Sequence, residues 1–364
     1  MPKKVVKTFD VRQFQILNET GSTDPALQSG PHKISEKEAR AFYEAMVLIR
    51  AFDEKALKLQ RAGRIGTYAS ILGQEAIQVG CAFALNQSDW LFPAFRESGL
   101  SLLRGIPIKV IYQYWSGDER GSAFPEDCHD FPISIPVGTH IPHAVGAAWA
   151  ARFKKDPIAV MTTFGDGATS KGDFHEGLNF AGVGRLPIVF VCQNNQWAIS
   201  VPLSKQTASA TLAQKAIAYG FEGIQLDGND VFGVYLAAKD ALEKARQGRG
   251  PTLLECVTYR LADHTTADDA SRYRSEKDVE AWRKKDPLSR LRTYLEREYH
   301  WSASEEGTLL RETQRRINSA VRELESIKSP EPEALFDHVF KTLPPALIKQ
   351  KNQLRKRIQR EGKA

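Results

Sequence analysis

Two short polar clusters carry the chemistry that this sequence offers most openly, Gly165-Asp166-Gly167 and Asn194-Asn195. Asp166 brings a carboxylate and Asn195 an amide oxygen, both hard ligands of the kind magnesium takes in an octahedral oxygen site. Gly165 and Gly167 carry no Cβ, so backbone there can come close to a bulky anion. A helix starting just beyond them would turn free N–H groups and a positive dipole end toward phosphate oxygens. The combination reads as a place for a diphosphate carried by magnesium.

The flanking residues say how those clusters are held. Ile158 to Phe164 is a continuous apolar run, Asp173 to Val183 has helical character, and Ile188 to Cys192 is a second apolar run leading into Gln193-Asn194-Asn195. Strand, turn, helix, strand outlines a βαβ unit. Ligands of open α/β sheets gather at the carboxyl ends of the strands, which predicts Asp166 and Asn195 side by side there. Phe221 to Leu226 and Thr252 to Tyr259 supply two more strand-like runs. The expected fold class is α/β, a doubly wound, mainly parallel sheet flanked by helices.

Around this centre, Ser35-Glu36-Lys37-Glu38 has the form of a capping box opening a helix that runs to near Gly63. Gln74 to Leu85 reads as a helix that serves the core and nothing else, and Pro142 to Phe153 as another helix. Charged helical patterns cover Glu276 to Leu295, with a break at Lys285-Asp286-Pro287, and Glu305 to Ile327. Ser329-Pro330-Glu331-Pro332 reads as a linker, and Leu335 to Ile348 as an apolar-spaced end segment. Residues 1–33, with turns at Gly21 to Pro25 and Gly30-Pro31, read as an arm without its own core. Residues 34–300 then form the α/β domain and residues 301–364 a helical extension.

Composition excludes several classes. At 42% hydrophobic and 26% charged residues the chain is of ordinary globular type. No apolar run reaches the ~18 residues of a membrane span, and the basic start at Lys3-Lys4 lacks the apolar stretch of a secretory signal. Cys81, Cys128, Cys192 and Cys256 form no Cys-x-x-Cys pair, which suits thiols in a reducing cytoplasm. Cys128-His129-Asp130 is contiguous and lacks a second ligand pair, so it reads as a solvated loop rather than a zinc site. A net charge of +6 raises nucleic acid as a partner. The excess sits largely between Lys349 and Lys363, with no zinc-finger or aromatic-basic pattern, so a solvated or partner-facing helix end is preferred.

The paired motif, Gly165-Asp166-Gly167 and then Asn194-Asn195 beyond residues 168–193, resembles the thiamine diphosphate motif. With Thr163 to Asp173 around it, the chain from about Ile34 to Leu347 resembles the alpha subunit of the decarboxylating component of 2-oxo acid dehydrogenase complexes. The resemblance implies the pyrophosphate-type domain of the thiamine diphosphate-binding fold. It places magnesium on Asp166, Asn195 and the backbone carbonyl of Trp197. Arg96 would anchor the diphosphate, with Phe95 standing where the family usually has Tyr. His264 would be a catalytic or phosphate-anchoring histidine in a mobile loop, and backbone at Ile135 and Val137 would meet the aminopyrimidine. Gly167, Ala168 and Arg260 complete the implied cofactor-binding set. Ser134 and Thr139 match a potassium site of branched-chain relatives, with His140 where Gln is usual. Ser98 takes the place of a substrate-side histidine, and Thr265 and Ser271 the places of regulated serines.

The implied reaction is oxidative decarboxylation of a 2-oxo acid, with the acyl group passing to the lipoyl group of an acyltransferase component. Only one cofactor-binding half is visible here. The resemblance implies a separate beta subunit in an α2β2 heterotetramer. Trp115 to Gly121 looks like pyruvate-type subunits, while Asp227 to Phe232 and His264 to Asp269 look as much like branched-chain ones. Pyruvate is placed first and 2-oxoisovalerate second. The competing readings are a split transketolase-type enzyme and a basic binding protein using the tail.

Overall fold

The computed structural model describes residues 3–24, 33–337 and 339–361. The turns expected at Pro25 and Gly30-Pro31, and the tail residue Lys363, lie outside the described residues.

The strands are β1 (Arg12–Phe14), β2 (Trp90–Phe92), β3 (Val160–Gly165), β4 (Ile188–Asn194), β5 (Trp197–Ala198), β6 (Val201–Pro202), β7 (Glu222–Asp227) and β8 (Thr252–Val257). Six of them form one sheet in the order β1-β7-β8-β4-β3-β2, every neighbouring pair parallel. β5 and β6 make a small antiparallel hairpin directly after β4.

The apolar runs are continuous because the sheet is buried on both faces. Val189 and Val191 point to one side, where Ile77, Cys81, Val234 and Leu242 cover them. Ile188, Phe190 and Cys192 point to the other, against Ile141, Val145, Phe174 and Leu178. The helices Glu75–Ala84 and Val231–Arg246 thus flank one face, and His140–Lys154 and Gly172–Gly184 the other. Gly165 of β3 lies opposite Gln193 of β4, and Asn194 opposite Val257 of β8. Asp166 and Asn195 therefore stand one residue past the ends of adjacent strands.

The capping box is present. Ser35 Oγ accepts from the Glu38 N–H at 3.3 Å, and Glu38 Oε2 accepts from the Ser35 N–H at 2.9 Å, opening the helix Glu36–Arg61. The break near residue 286 separates the helices Glu276–Arg283 and Pro287–Tyr299, with Asp286 Oδ1 accepting from the Ser289 N–H.

Two sequence boundaries shift. Residues 12–14 of the arm have no core of their own but pair with β7, and the N–H groups of Ile16 and Leu17 donate to Asp230 Oδ2 at 2.6 and 2.9 Å. The division drawn at residue 300 falls instead between Ala320 and Val321. Much of the helix Ala303–Glu325 belongs to the main unit, where Glu305 pairs with Arg40 and Ile317 is fully buried. The smaller unit holds the helix Pro345–Glu361, tied to its own preceding turn by Lys351–Asp337 and Arg355–Glu333 pairs. Among the described residues no helix is long and apolar enough to cross a membrane.

Candidate active site

The ends of β3 and β4, the hairpin β5–β6 and the loop after β8 enclose a cavity of about 360 Å³. Asp166, Gly167, Ala168, Asn195 and Trp197 line it from the strand ends. Phe95, Arg96, Val137 and His264 line it from three other loops. The sequence separates these residues widely, and the parallel sheet brings them together.

Asp166 is 1% exposed. Its Oδ2 accepts from Gln206 Nε2 at 2.6 Å, whereas Oδ1 is buried with no partner. Burial raises its pKa, partly offset by the Gln206 hydrogen bond. Asn195 Oδ1 accepts from the Trp197 N–H at 3.2 Å, and Nδ2 donates to Gln74 Oε1 at 3.2 Å. The two glycines differ in their reason for being glycine. A Cβ on Gly165 would meet open space, while one on Gly167 would lie 2.8 Å from the Ala198 Cβ. Gly167 thus lets the hairpin close on the strand end.

Opposite the strand ends, Arg96 Nη1 donates to the Ser70 carbonyl at 2.6 Å and Nη2 to the His264 carbonyl at 2.9 Å. The His264 loop is pinned by its own N–H to Asp268 Oδ2 at 2.9 Å and by the Thr266 N–H to the Tyr68 carbonyl at 3.0 Å. Burial, then Arg96 and Arg260, hold the His264 pKa down to about 4, so the ring is neutral near pH 7.

Four buried polar atoms on residues lining this cavity have no partner: Gln74 Nε2, His140 Nδ1, Asp166 Oδ1 and Gln193 Oε1. A buried polar group left unpaired costs ~1–3 kcal/mol, so a site that gathers four of them is shaped for a polar ligand.

The family model described as "Dehydrogenase E1 component" matches residues 43–333. The chain belongs to the dehydrogenase E1 component family. It is 42% identical to the 3-methyl-2-oxobutanoate dehydrogenase subunit alpha of Mycobacterium tuberculosis, over 99% of this chain and 98% of that relative. It is 41% identical to the pyruvate dehydrogenase E1 component subunit alpha of Acholeplasma laidlawii, over 90% and 95% of the two chains. The subunit of the same name from Staphylococcus aureus is 37% identical over 92% and 90%.

In this E1 component, two residues expected at the cofactor stand apart from the cavity lining. Ile135 is 52% exposed on the loop before the helix His140–Lys154 and does not line the cavity. Arg260 lies behind His264, its Nη1 3.3 Å from the ring Nδ1 and its Nη2 donating to the Ile199 carbonyl and the Tyr273 hydroxyl. Among the residues lining the cavity it meets His264 and Ile199. Ser98 is buried, accepting from Trp115 Nε1 at 3.1 Å, and does not line the cavity. His140 is turned inward, with Nε2 donating to the Thr163 carbonyl at 2.7 Å. Asp130 pairs with Arg104 at 3.0 Å, and among the described residues no group of three His, Cys, Asp or Glu side chains converges on a metal position.

Sequence reasoning missed four polar residues of this E1 site: Gln74, Glu97, Gln193 and Gln206. Glu97 is buried beside Arg96, accepting from the Arg96 N–H at 3.0 Å and from Gln193 Nε2. Burial pushes its pKa up to about 7 against the pull of Arg96. The available signal was adjacency, since Glu97 follows Arg96 and Gln193 precedes Asn194.

Proposed function

We propose that this chain is the alpha subunit of a 2-oxo acid dehydrogenase that binds thiamine diphosphate and magnesium in the cavity beside β3 and β4. Family membership implies thiamine diphosphate as cofactor and a beta subunit as partner. The finer reading is an α2β2 assembly that passes its acyl group to the lipoyl group of an acyltransferase component. The observation that carries the cofactor and magnesium reading is the buried, half-unpartnered Asp166 carboxylate beside the Asn195 amide at adjacent strand ends. One carboxylate suffices for magnesium, which keeps several waters and takes phosphate oxygens as its other ligands. Asp166, Asn195 and the Trp197 carbonyl would hold that ion.

Thiamine diphosphate supplies the nucleophilic carbon and the electron sink for loss of carbon dioxide. This chain binds, orients and excludes water. Arg96 would offer its guanidinium to the diphosphate, as would backbone at Gly167 and Ala168. Neutral His264 would donate from Nε2, because Nδ1 faces Arg96 and Arg260, which can only donate. Lys171, also lining the cavity, adds positive charge. Val137 and Ile199, both substantially exposed, give the mouth an apolar rim that a beta subunit would cover.

Pyruvate is the first substrate reading, on the resemblance of Trp115 to Gly121. The second is 3-methyl-2-oxobutanoate, favoured by the mycobacterial relative's match over 99% of this chain. The buried free thiols of Cys81, Cys192 and Cys256 support a reducing, cytoplasmic setting. A potassium requirement, read from Ser134 and Thr139, is tested by exchanging potassium for sodium.

The deciding experiment is co-expression with a beta subunit, followed by decarboxylation assays on both 2-oxo acids with an artificial electron acceptor. Activity only with the partner, and dependent on thiamine diphosphate and magnesium, is expected. Full turnover by the isolated chain would overturn the split-site reading. Ketol transfer between sugar phosphates would replace it with a transketolase-type enzyme.

A further inference from the structure

We infer that Gln74 and Gln206 are positioning residues that fix the orientation of the two side chains proposed to hold magnesium, Asn195 and Asp166. The inference rests on that reading of the site and adds to it the residues that make it selective.

Gln206 closes the short helix Leu203–Gln206, just beyond the hairpin. Its Nε2 donates to Asp166 Oδ2 at 2.6 Å and to the Val201 carbonyl at 3.1 Å. Both partners are acceptors, so turning the amide over would set oxygen against oxygen. The amide has one usable orientation. With Oδ2 taken, Asp166 keeps a single buried oxygen without a partner, Oδ1, and Asp166 lines the cavity. Gln206 thereby selects which carboxylate oxygen is offered.

Asn195 is fixed in the same way from the other side. The Trp197 N–H donates to Oδ1, which assigns Nδ2 as the nitrogen that donates to Gln74 Oε1. Gln74 is 1% exposed and immediately precedes the helix Glu75–Ala84, yet its side chain makes no capping bond. Its oxygen is committed to Asn195, and its Nε2 stays buried without a partner beside the cavity. Gly73 makes this placement possible. It adopts φ +91°, and a Cβ there would lie 2.8 Å from the Tyr259 carbonyl.

Outer partners of this kind set ligand geometry, and their removal typically weakens metal binding ~10–100-fold. Magnesium needs near-ideal octahedral geometry, whereas calcium tolerates six to eight oxygens in flexible arrangements. Loosening either ligand should therefore hurt magnesium more than calcium.

The test uses the co-expressed complex with thiamine diphosphate, titrated calorimetrically with magnesium and with calcium. The variants are Gln74→Leu and the half-buried Gln206→Leu, with Asp166→Ala as control. The expected result for Gln206→Leu is magnesium affinity lowered ~10–100-fold, a smaller fall for calcium, and an unchanged cofactor-free melting temperature. Gln74→Leu should follow the same pattern. Unchanged magnesium affinity in both leucine variants would overturn the inference. So would an equal fall for both ions accompanied by a lower melting temperature, which would mark general damage. Wild-type affinity in Asp166→Ala would instead overturn the metal site itself.

Discussion

Arg96 Nη2 donates to the His264 carbonyl at 2.9 Å and lies 3.2 Å from the ring Nδ1 of the same residue. With Arg260 3.3 Å from that nitrogen as well, two guanidinium groups face the ring and, together with burial, outweigh the opposing carboxylate of Asp268. Its pKa falls from 6.5 to about 4, through burial first and then Arg96 and Arg260. An unfolded chain takes up this proton near pH 6.5, but the folded chain resists until about pH 4. Acidification through that window therefore favours unfolding. His264→Gln should flatten the pH dependence of stability between those limits while lowering turnover. Denaturant melts at pH 7 and pH 5 check the first part. Equal pH slopes in variant and wild type would mean that the ring takes up its proton in the fold at the same pH as in the unfolded chain.

Asp166→Ala should abolish magnesium-dependent cofactor binding, weakening it beyond the ~100-fold at the upper end of outer-partner effects. The fold should survive, because the change removes a buried carboxylate whose ionisation burial already opposes. Calorimetry on the assembled enzyme gives the affinity and a melting curve without cofactor gives the stability. Retained affinity would exclude Asp166 as a ligand.

Phe95 places its ring edge-on to His264, with centroids 5.9 Å apart, and the Arg96 guanidinium lies 5.3 Å from the ring centroid. Phe95→Tyr would return to this cavity-lining position the hydroxyl usual in the family. One added hydrogen bond is worth ~0.5–1.5 kcal/mol, so thiamine diphosphate should bind up to about tenfold tighter. A weaker complex in the same titration would mean that the hydroxyl has no acceptor there.

Gly167→Ala sets a methyl group 2.8 Å from the Ala198 Cβ. The hairpin that carries Trp197 and Ile199 must move to admit it. Cofactor binding should weaken about tenfold or more, equivalent to ~1.4 kcal/mol, while Gly165→Ala adds a methyl in open space on the protein side. Gly165→Ala should interfere only once ligand is present. Comparing melting temperatures with and without thiamine diphosphate and magnesium separates these two effects.

What the sequence disclosed follows from how each feature is built. β3 and β4 were legible because burial on both faces makes them unbroken apolar runs, and their polar ends then located Asp166 and Asn195. β1 and β2 were not, since three residues such as Arg12-Gln13-Phe14 carry no period. The arm's attachment depends on Asp230, far along the chain, accepting from Ile16 and Leu17. The helix Glu75–Ala84 did prove to be core, but reading Gln74 to Leu85 as core and nothing else passed over the bond from Asn195 to Gln74 at its start. Gln206 was hidden for the same reason, because a glutamine acquires meaning only from the partner its amide finds in three dimensions.

The three residues of β1 have a practical consequence for handling the protein. They cover the outer edge of β7, whose other side is taken by β8. A truncation past Phe14 would bare a row of backbone donors and acceptors, a template for pairing with other chains. Continued past Leu17, it would also strip two donors from the Asp230 carboxylate, already raised to about pKa 6 by burial. Aggregation of such a trimmed protein would be the signature of an uncapped sheet margin and would say nothing about the cavity at the ends of β3 and β4.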